Sequence, residues 1–108
     1  MNFLMVLVLA VTGSLTITPT VGPAPFTPNI SIAIEGAFTG TACAYIDDLS
    51  TQGHDEIELC SPTIIVPERA TVPLELTGST PGNYTFTGHL HSVTGEVTVL
   101  NTVSVTVQ

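Results

Sequence analysis

Two histidines are the side chains of this sequence best suited to binding a metal. His89 and His91 are two residues apart, so on a β-strand their rings share one face and could chelate a transition metal together with a carboxylate from a neighbouring strand. Solvent-facing histidines on a threonine-rich sheet are the simpler interpretation. The sequence therefore predicts no metal site. If the protein does bind a metal, His89 and His91 are the first candidate ligands.

A cluster of acidic residues is the second candidate for metal binding. Five of the nine acidic residues lie around one predicted hairpin tip, beside His54. Carboxylate oxygens suit calcium, but the spacing fits no known calcium loop. A solvated acidic loop is favoured over a weak calcium site. The five residues are Asp47, Asp48, Asp55, Glu56 and Glu58.

The two cysteines of the chain favour a disulfide over the alternatives. If 41–48 and 56–61 pair as an antiparallel hairpin about a turn at 50–53, Cys43 lies opposite Cys60. An even count of cysteines in a small chain outside the cytosol usually means a bridge. Two free buried thiols in a cytosolic protein remain the alternative. A zinc site is less favoured, because neither cysteine belongs to a C-x-x-C pair. The same register places Tyr45 opposite Glu58 and Asp47 opposite Glu56.

Catalytic motifs are absent from the sequence. It has no G-x-S-x-G motif, neither cysteine has a histidine beside it, and no paired carboxylates occur in a setting that suggests burial. We therefore expect no enzymatic activity and no cofactor.

Charge limits the partners that this chain can bind. Its 108 residues carry nine acids and one base, Arg69, for a formal net charge of −8. Binding to phosphate backbones draws on clustered Lys and Arg, so nucleic acid is excluded as a partner. Anionic membrane surfaces are disfavoured for the same reason. A protein partner or self-assembly is expected instead.

The N-terminal segment 1–14 has the character of a secretory signal peptide. An apolar run at 3–11 is followed by Thr12, Gly13 and Ser14, so cleavage is expected after Gly13 or Ser14. No positive side chain precedes the run. The run is too short for a stable membrane span. The alternative is a retained apolar segment that pairs as a strand with its own sheet or with a neighbouring subunit.

The rest of the chain, 15–108, reads as one domain of short strands and turns. Residues 15–18 and 29–35 alternate apolar and polar side chains, and 19–28 holds four prolines typical of a crossing or edge segment. Val72, Leu74 and Leu76 share a face of a later strand. No stretch shows helical periodicity. The pattern predicts an all-β fold, a single antiparallel β-sandwich of about seven strands.

The last two strands form a predicted hairpin centred on Thr94 and Gly95. Its register makes one face wholly apolar. A one-residue slip would move every apolar side chain of one strand to the wrong face, so the register is well specified. A bulge or a backbone contact is expected where Gly88 lies opposite the inward-facing Asn101. The predicted pairs are Tyr84 with Val105, Thr85 with Ser104, Phe86 with Val103, Thr87 with Thr102, His89 with Leu100, Leu90 with Val99 and His91 with Thr98. The predicted core residues are Tyr84, Phe86, Leu90, Val99, Val103 and Val105.

The segment Gly82-Asn83-Tyr84-Thr85-Phe86 resembles the start of the penultimate strand in immunoglobulin-like and fibronectin type III-like sandwiches. The motif covers residues 81–107. The resemblance implies an immunoglobulin-like layout for 15–108 and a corner in which the Tyr84 hydroxyl returns to the backbone just upstream. The chain lacks the Trp and the inter-sheet cysteine pair of antibody domains, and Phe86 stands where the second such Cys would be. The resemblance to these sandwiches implies no particular ligand.

Two asparagines lie in acceptor sequons for N-glycosylation, Asn29-Ile30-Ser31 and Asn83-Tyr84-Thr85. They would matter only if the protein passes through a eukaryotic secretory pathway.

Three classes of function remain open. The favoured class is a non-catalytic binding or structural module, such as an adhesion module, that is secreted or displayed on an extracellular surface. The second is a structural subunit of a filament or virion that keeps its N-terminal segment. The third is a lipid-binding or small-ligand-binding sandwich, which predicts a sizeable apolar cavity between the sheets.

Overall fold

The computed structural model describes residues 11–49, 56–76 and 80–108, and these ranges contain nine β-strands and no helix. The predicted turn at 50–53, His54 and Asp55 lie outside the described residues. The strands are β1 (Thr12–Thr18), β2 (Val21–Gly22), β3 (Asn29–Glu35), β4 (Phe38–Asp48), β5 (Glu56–Cys60), β6 (Ile64–Val66), β7 (Arg69–Leu74), β8 (Gly82–Ser92) and β9 (Val97–Val107).

Two sheets pack face to face, which confirms the predicted all-β sandwich. The small sheet has the order β1-β3-β7, and the large sheet has the order β2-β9-β8-β4-β5, with β6 also paired to β4. Every pair is antiparallel except β2 with β9. The strands beyond the predicted seven are the short β2 and β6, which have two and three residues.

The core lies between the sheets because the inner face of each strand is apolar. In β3 the alternating residues Ile30, Ile32 and Ile34 are at most 2% exposed. Burial of such side chains is the main favourable contribution to folding. The small sheet adds Leu15, Ile17, Val72 and Leu74, and the large sheet adds Ala42, Ala44, Ile46, Phe86, Leu90, Val105 and Val107. Leu76, predicted to share a face with Val72 and Leu74, is partly buried against this cluster.

The proline-rich segment 19–28 both crosses between the sheets and forms an edge, as predicted. The chain leaves the small sheet after β1 and joins the large sheet as β2, beside the end of β9. The Thr106 N–H donates to the Thr20 carbonyl at 2.8 Å, and the Gln108 N–H donates to the Gly22 carbonyl at 2.8 Å. These bonds tie the C-terminus to the edge of the large sheet.

The register of β4 and β5 agrees with the predicted hairpin. Cys43 pairs with Cys60, Tyr45 with Glu58, and Asp47 with Glu56. The two cysteines form a disulfide with an S–S distance of 2.11 Å, which confirms the predicted bridge. Cys43 is 1% exposed, and Cys60 lies on the edge strand β5.

The register of β8 and β9 is confirmed on one side of a bulge and wrong on the other. The four predicted pairs from Tyr84 to Thr87 are present, and a bulge follows between Thr87 and His89. An added Cβ on Gly88 would lie 3.1 Å from Cβ of Leu100, so glycine permits the close approach there. Beyond the bulge the partners shift by one: His89 pairs with Val99, Leu90 with Thr98 and His91 with Val97.

The bulge reverses the faces of residues 97–100 of β9 relative to the prediction. One strand of a bulge holds an extra residue, and successive side chains of a strand alternate between faces. Val99, predicted to be in the core, is therefore 64% exposed, and Leu100 packs partly against the core instead. The other predicted core residues are confirmed: Phe86, Leu90 and Val105 are at most 2% exposed, and Tyr84 and Val103 are partly buried.

Asn101 of the bulge joins the two sheets through its side chain. Its Oδ1 accepts the Leu15 N–H at 2.6 Å, and its Nδ2 donates to the Leu15 carbonyl at 2.9 Å. The predicted backbone contact at this position is therefore present, and the Asn101 amide reaches the opposite sheet although the residue is exposed. The Asn101 amide supplies the hydrogen bonds that a neighbouring strand would otherwise make at the edge of β1.

Replacing this amide is expected to destabilise the fold. Asn101→Ala leaves two backbone groups of Leu15 without their partner, and we expect a loss of about 2 kcal/mol in the free energy of unfolding, measured by urea denaturation. Asn83→Ala is the matched control, because the bond that its side chain accepts from the Thr106 hydroxyl is exposed. Equal losses for the two variants would contradict the role of Asn101.

The Tyr84 hydroxyl donates to the Thr80 carbonyl at 2.6 Å. This is the corner contact that the sequence resemblance implied, and it connects β8 to the segment just before it.

The predicted signal cleavage falls inside the first strand. β1 begins at Thr12, and Thr12, Gly13 and Ser14 pair with Glu35, Ile34 and Ala33. Cleavage after Gly13 or Ser14 would remove two or three of these pairs. Residues 1–10 lie outside the described residues, so cleavage stays a prediction.

Candidate functional site

The outer face of the large sheet carries the most distinctive group of side chains in the described structure. Strand register places its residues in rows across the sheet. One row runs Cys60, Cys43, His89, Val99, and the next runs Thr41, His91, Val97. We call this surface the valine–histidine face and define it as Tyr45, His89, His91, Val93, Val97 and Val99.

Large apolar side chains are exposed on this face. Val93 is 66% exposed, Val97 is 54% exposed and Val99 is 64% exposed. Ile65, 79% exposed, pairs with Thr39, whose carbonyl accepts the Val93 N–H at 3.0 Å. Single exposed apolar residues are ordinary, but a contiguous group of them marks an interaction surface.

Three rings form a cluster in the middle of the face. The ring centroids of Tyr45 and His89 are 4.1 Å apart, and those of His89 and His91 are 6.0 Å apart and stacked. The Tyr45 hydroxyl lies 3.2 Å from Nε2 of His91, within hydrogen-bonding distance. The cluster arises because β4 lies beside β8 in the sheet, so that side chains distant in sequence become neighbours.

The surroundings of His89 favour its neutral form by lowering its pKa. Burial lowers its pKa below the ordinary value of 6.5, the nearby His91 lowers it further, and Glu58 opposes the shift. Its Nδ1 is buried and has no hydrogen-bond partner among the residues that the structure describes. A neutral ring with an unsatisfied nitrogen makes this position sensitive to acid.

Acidification is expected to weaken the fold through His89. Because its pKa is lowered in the folded state, the unfolded chain takes up this proton first as the pH falls. The contribution is fully present above about pH 6.5 and is lost as the pH falls from there through the folded pKa. Denaturation at a series of pH values should give a flatter profile for His89→Gln than for the wild type.

His91→Gln is the control for this experiment. It removes the smaller of the two effects that lower the pKa of His89 but keeps burial, so most of the pH dependence should remain. A His89→Gln profile as steep as the wild-type profile would contradict the assignment.

The candidate metal ligands do not converge on one point. Within the described ranges, the one group of three close ligand atoms is Cys43, Glu58 and Cys60, and its two sulfurs are joined in the disulfide. His89 and His91 belong to no such group there. The two rings alone offer too few ligands for a closed transition-metal site.

The acidic candidates are divided between the two faces of β4. Asp47 lies on the outer face in the row of Glu56 and Thr85, and Asp48 lines a cavity on the inner side. Adjacent strand residues point to opposite faces, so these two carboxylates do not face one ion. The solvated acidic loop stays the prediction for the tip, with a weak calcium site as its alternative, since Asp55 lies outside the described residues.

Formal charge is sparse on the valine–histidine face. Glu58 borders it on β5, opposite Tyr45, and Glu96 borders it at the tip of the β8–β9 hairpin. The one base, Arg69, lies in the small sheet, where it is opposite Glu35 in the strand register. Charge depletion around exposed apolar and aromatic groups is the pattern of the centre of protein interfaces.

A cavity opens at the end of the sandwich near the acidic hairpin. It has a volume of about 160 Å³, which is below the roughly 300 Å³ at which pockets for drug-sized ligands begin. Its lining is mostly apolar, with Asp48, Thr80 and Tyr84 as polar groups. The apolar lining residues are Phe26, Ile46, Ile57, Leu76, Phe86, Val105 and Val107.

Both glycosylation sequons place their asparagine at the surface. Asn29 begins β3 and Asn83 lies near the start of β8, and both are exposed. Their use stays a prediction.

Sequence reasoning found His89, His91 and the disulfide but missed the valines beside them. Val97 and Val99 look like ordinary core positions until the bulge is placed. The signal in the sequence is the predicted irregularity at Gly88 and Asn101, which implies a change of face beyond it. Among the described residues, no helix is long and apolar enough to cross a membrane.

Comparisons with known proteins define the fold alone. No protein-family model and no curated protein matches the chain. The chain is similar to a chain in a solved structure described as "Structural basis of T cell specificity and activation by the bacterial superantigen toxic shock syndrome toxin-1", with 15% identity, 92% of this chain and 100% of that chain covered, and a TM-score of 0.56. A second similar structure, macromomycin, has 15% identity over 90% of this chain and 100% of that chain, with a TM-score of 0.40.

Proposed function

We propose that this chain is a non-catalytic, immunoglobulin-like β-sandwich that is secreted or displayed on an extracellular surface, where it acts as a binding or structural module. The observation that carries the proposal is the valine–histidine face, which exposes Val93, Val97 and Val99 around a ring cluster with little charge. Such a surface favours contact with a protein.

The strand order supports the immunoglobulin-like part of the proposal. Sheets β1-β3-β7 and β9-β8-β4-β5 correspond to strands A, B and E facing strands G, F, C and C′ of that arrangement. The Tyr84 contact with the Thr80 carbonyl adds the tyrosine corner. Neither feature identifies a ligand.

The disulfide supports a location outside the cytosol. Bridges persist in oxidising compartments and are rare in the cytosol. Cys43 and Cys60 pair directly across β4 and β5, so the bridge needs no rearrangement of the hairpin.

Site-specific photocrosslinking in the native source material tests the proposal. A photoreactive residue at Thr102, which pairs with Thr87 beside the valine–histidine face, is expected to form adducts with a protein. The same residue at exposed Thr16, in the small sheet, is the control. Adducts that are absent at Thr102, or equal at both positions, would reject a binding role for this face.

A retained N-terminal segment supports a second candidate, a filament or virion subunit. Thr12, Gly13 and Ser14 pair with β3, and cleavage after Ser14 would remove these pairs, which favours retention. The apolar sequence at 3–10 would then pair with a neighbouring subunit. Intact mass of the native protein separates the candidates: a loss of residues 1–13 would reject the second, and an intact Met1 in an assembled particle would reject the first.

A further inference from the structure

We propose that the cavity at the end of the sandwich binds a small neutral molecule, a single ring that carries one hydrogen-bond donor, of which phenol is the simplest example. The inference goes beyond the proposed function, because none of the residues that line this cavity belongs to the valine–histidine face. Three features carry it: the way the two sheets leave the cavity open, its volume, and the polar groups at its mouth.

The cavity opens to solvent because the large sheet extends past the small sheet. Ile57 of β5 pairs with Ile46 of β4, and paired side chains lie on the same face of a sheet. Ile46 is 4% exposed, whereas Ile57 is 60% exposed. The small sheet has three strands and leaves the inner side of β5 uncovered at Ile57, so a ligand can enter there.

The walls of the cavity are apolar and held in place by packing. Phe26, Phe86 and Val105 line it and are at most 4% exposed. The Phe26 ring rests directly on Gly22 of β2, where an added Cβ would lie 2.6 Å from Cε1 of the ring. Closely packed side chains keep their rotamers, so binding needs little ordering of the site.

The volume of the cavity sets the size of the ligand. It is about 160 Å³, close to the roughly 150 Å³ of an apolar cavity engineered in another protein, which stays dry and binds benzene. A drug-sized molecule needs about twice this volume or more. Apolar walls favour a ring over water, because burial removes the apolar surface of the ring from solvent.

Three polar groups at the mouth favour a ligand that donates a hydrogen bond. The Tyr84 hydroxyl gives its proton to the Thr80 carbonyl at 2.6 Å. The Thr80 hydroxyl, 3.0 Å from the Tyr84 hydroxyl, is therefore the donor in the bond between the two. Both protons are used in this way, and a carboxylate such as that of Asp48 only accepts. The mouth thus offers acceptor oxygens, which favour a hydroxyl on the ligand and disfavour an anion.

Titration of the full-length chain, with its disulfide intact, tests the proposal with phenol, benzene and benzoate at neutral pH. Amide NMR shifts of the residues that line the cavity report binding. We expect phenol to bind about tenfold more tightly than benzene, because a hydrogen bond to a charged group adds to burial of the ring. Benzoate has the same ring with a negative charge and should give no saturable shift.

Three variants assign the binding to the cavity. Leu76→Trp narrows it from one wall and should weaken phenol and benzene at least about tenfold. Ile64→Trp is the matched control and should leave both affinities unchanged: Leu76 and Ile64 are both partly buried against the core, but Ile64 pairs with Gly40, about 27 Å along β4 from Asp48. Asp48→Ala keeps the apolar walls and should abolish the preference for phenol over benzene.

Each outcome decides the proposal. Lining residues that show no shift up to the solubility limits of phenol and benzene, or binding that Leu76→Trp leaves intact, would overturn the site. Benzene or benzoate that binds as tightly as phenol would overturn the ligand class. If Leu76→Trp does not fold, the order of the three probes and the ratio of affinities in Asp48→Ala still decide. The Thr102 crosslink does not depend on the cavity, so this inference and the proposed function fail separately.

Discussion

Removal of the disulfide by Cys43→Ala with Cys60→Ala is expected to lower the free energy of unfolding by about 3 kcal/mol. The cysteines are 17 residues apart, and the bridge restricts the loop between them in the unfolded chain. The folded hairpin should remain, since the backbone pairing of β4 with β5 continues beyond the bridge, through Tyr45 to Asp47. Equilibrium denaturation of the double variant measures the loss.

Reduction of the wild-type protein is the control for the disulfide. It breaks the bond without changing the side chains, so the reduced wild type and the double variant should lose similar stability. A large loss in the variant with no loss on reduction would mean that packing of the buried Cys43 matters and the covalent bond does not. Equal stability in all three forms would contradict the prediction.

Truncation of Leu90 is expected to cost about 3 kcal/mol, whereas truncation of Val99 should cost less than about 0.5 kcal/mol. Leu90 is fully buried and Val99 is 64% exposed. The two residues were predicted to face each other in the core, but the bulge places them on opposite faces of the large sheet. The cavity left by Leu90→Ala accounts for its larger effect.

The double variant of Leu90 and Val99 tests the register directly. Residues in contact show coupled effects, and separated residues show additive ones. We therefore expect the losses of Leu90→Ala and Val99→Ala to add. Val105→Ala, the same substitution as Val99→Ala but at a position 2% exposed, should cost about 2 kcal/mol. A costly Val99→Ala or strong coupling to Leu90 would favour the unbulged register.

Local alternation was sufficient to predict the regular strands. In β3 the isoleucines repeat every second residue, and burying one face permits one register only. The hairpin that joins β4 and β5 was predictable for the same reason, and it placed Cys43 opposite Cys60. The corner made by Tyr84 followed from a resemblance and not from alternation.

The bulge limited what alternation could predict about β9. The sequence indicated an irregularity at Gly88 and Asn101, but the direction of the shift depends on Leu15 of a distant strand, which bonds the Asn101 amide. Contacts between strands remote in sequence do not appear in a periodic pattern. The exposed positions of Val97 and Val99 follow from that shift.

The sequence by itself determined the all-β class, the inward face of most strands, the disulfide and the two histidines on one outward face. These depend on side-chain alternation and on neighbours within a hairpin. Only the tertiary structure decided which residues surround those histidines. Tyr45 lies beside them because β4 pairs with β8. The valines lie beside them because the bulge moves the side chains of Val97 and Val99 to the outer face. The candidate binding face therefore exists only after the sheet has assembled.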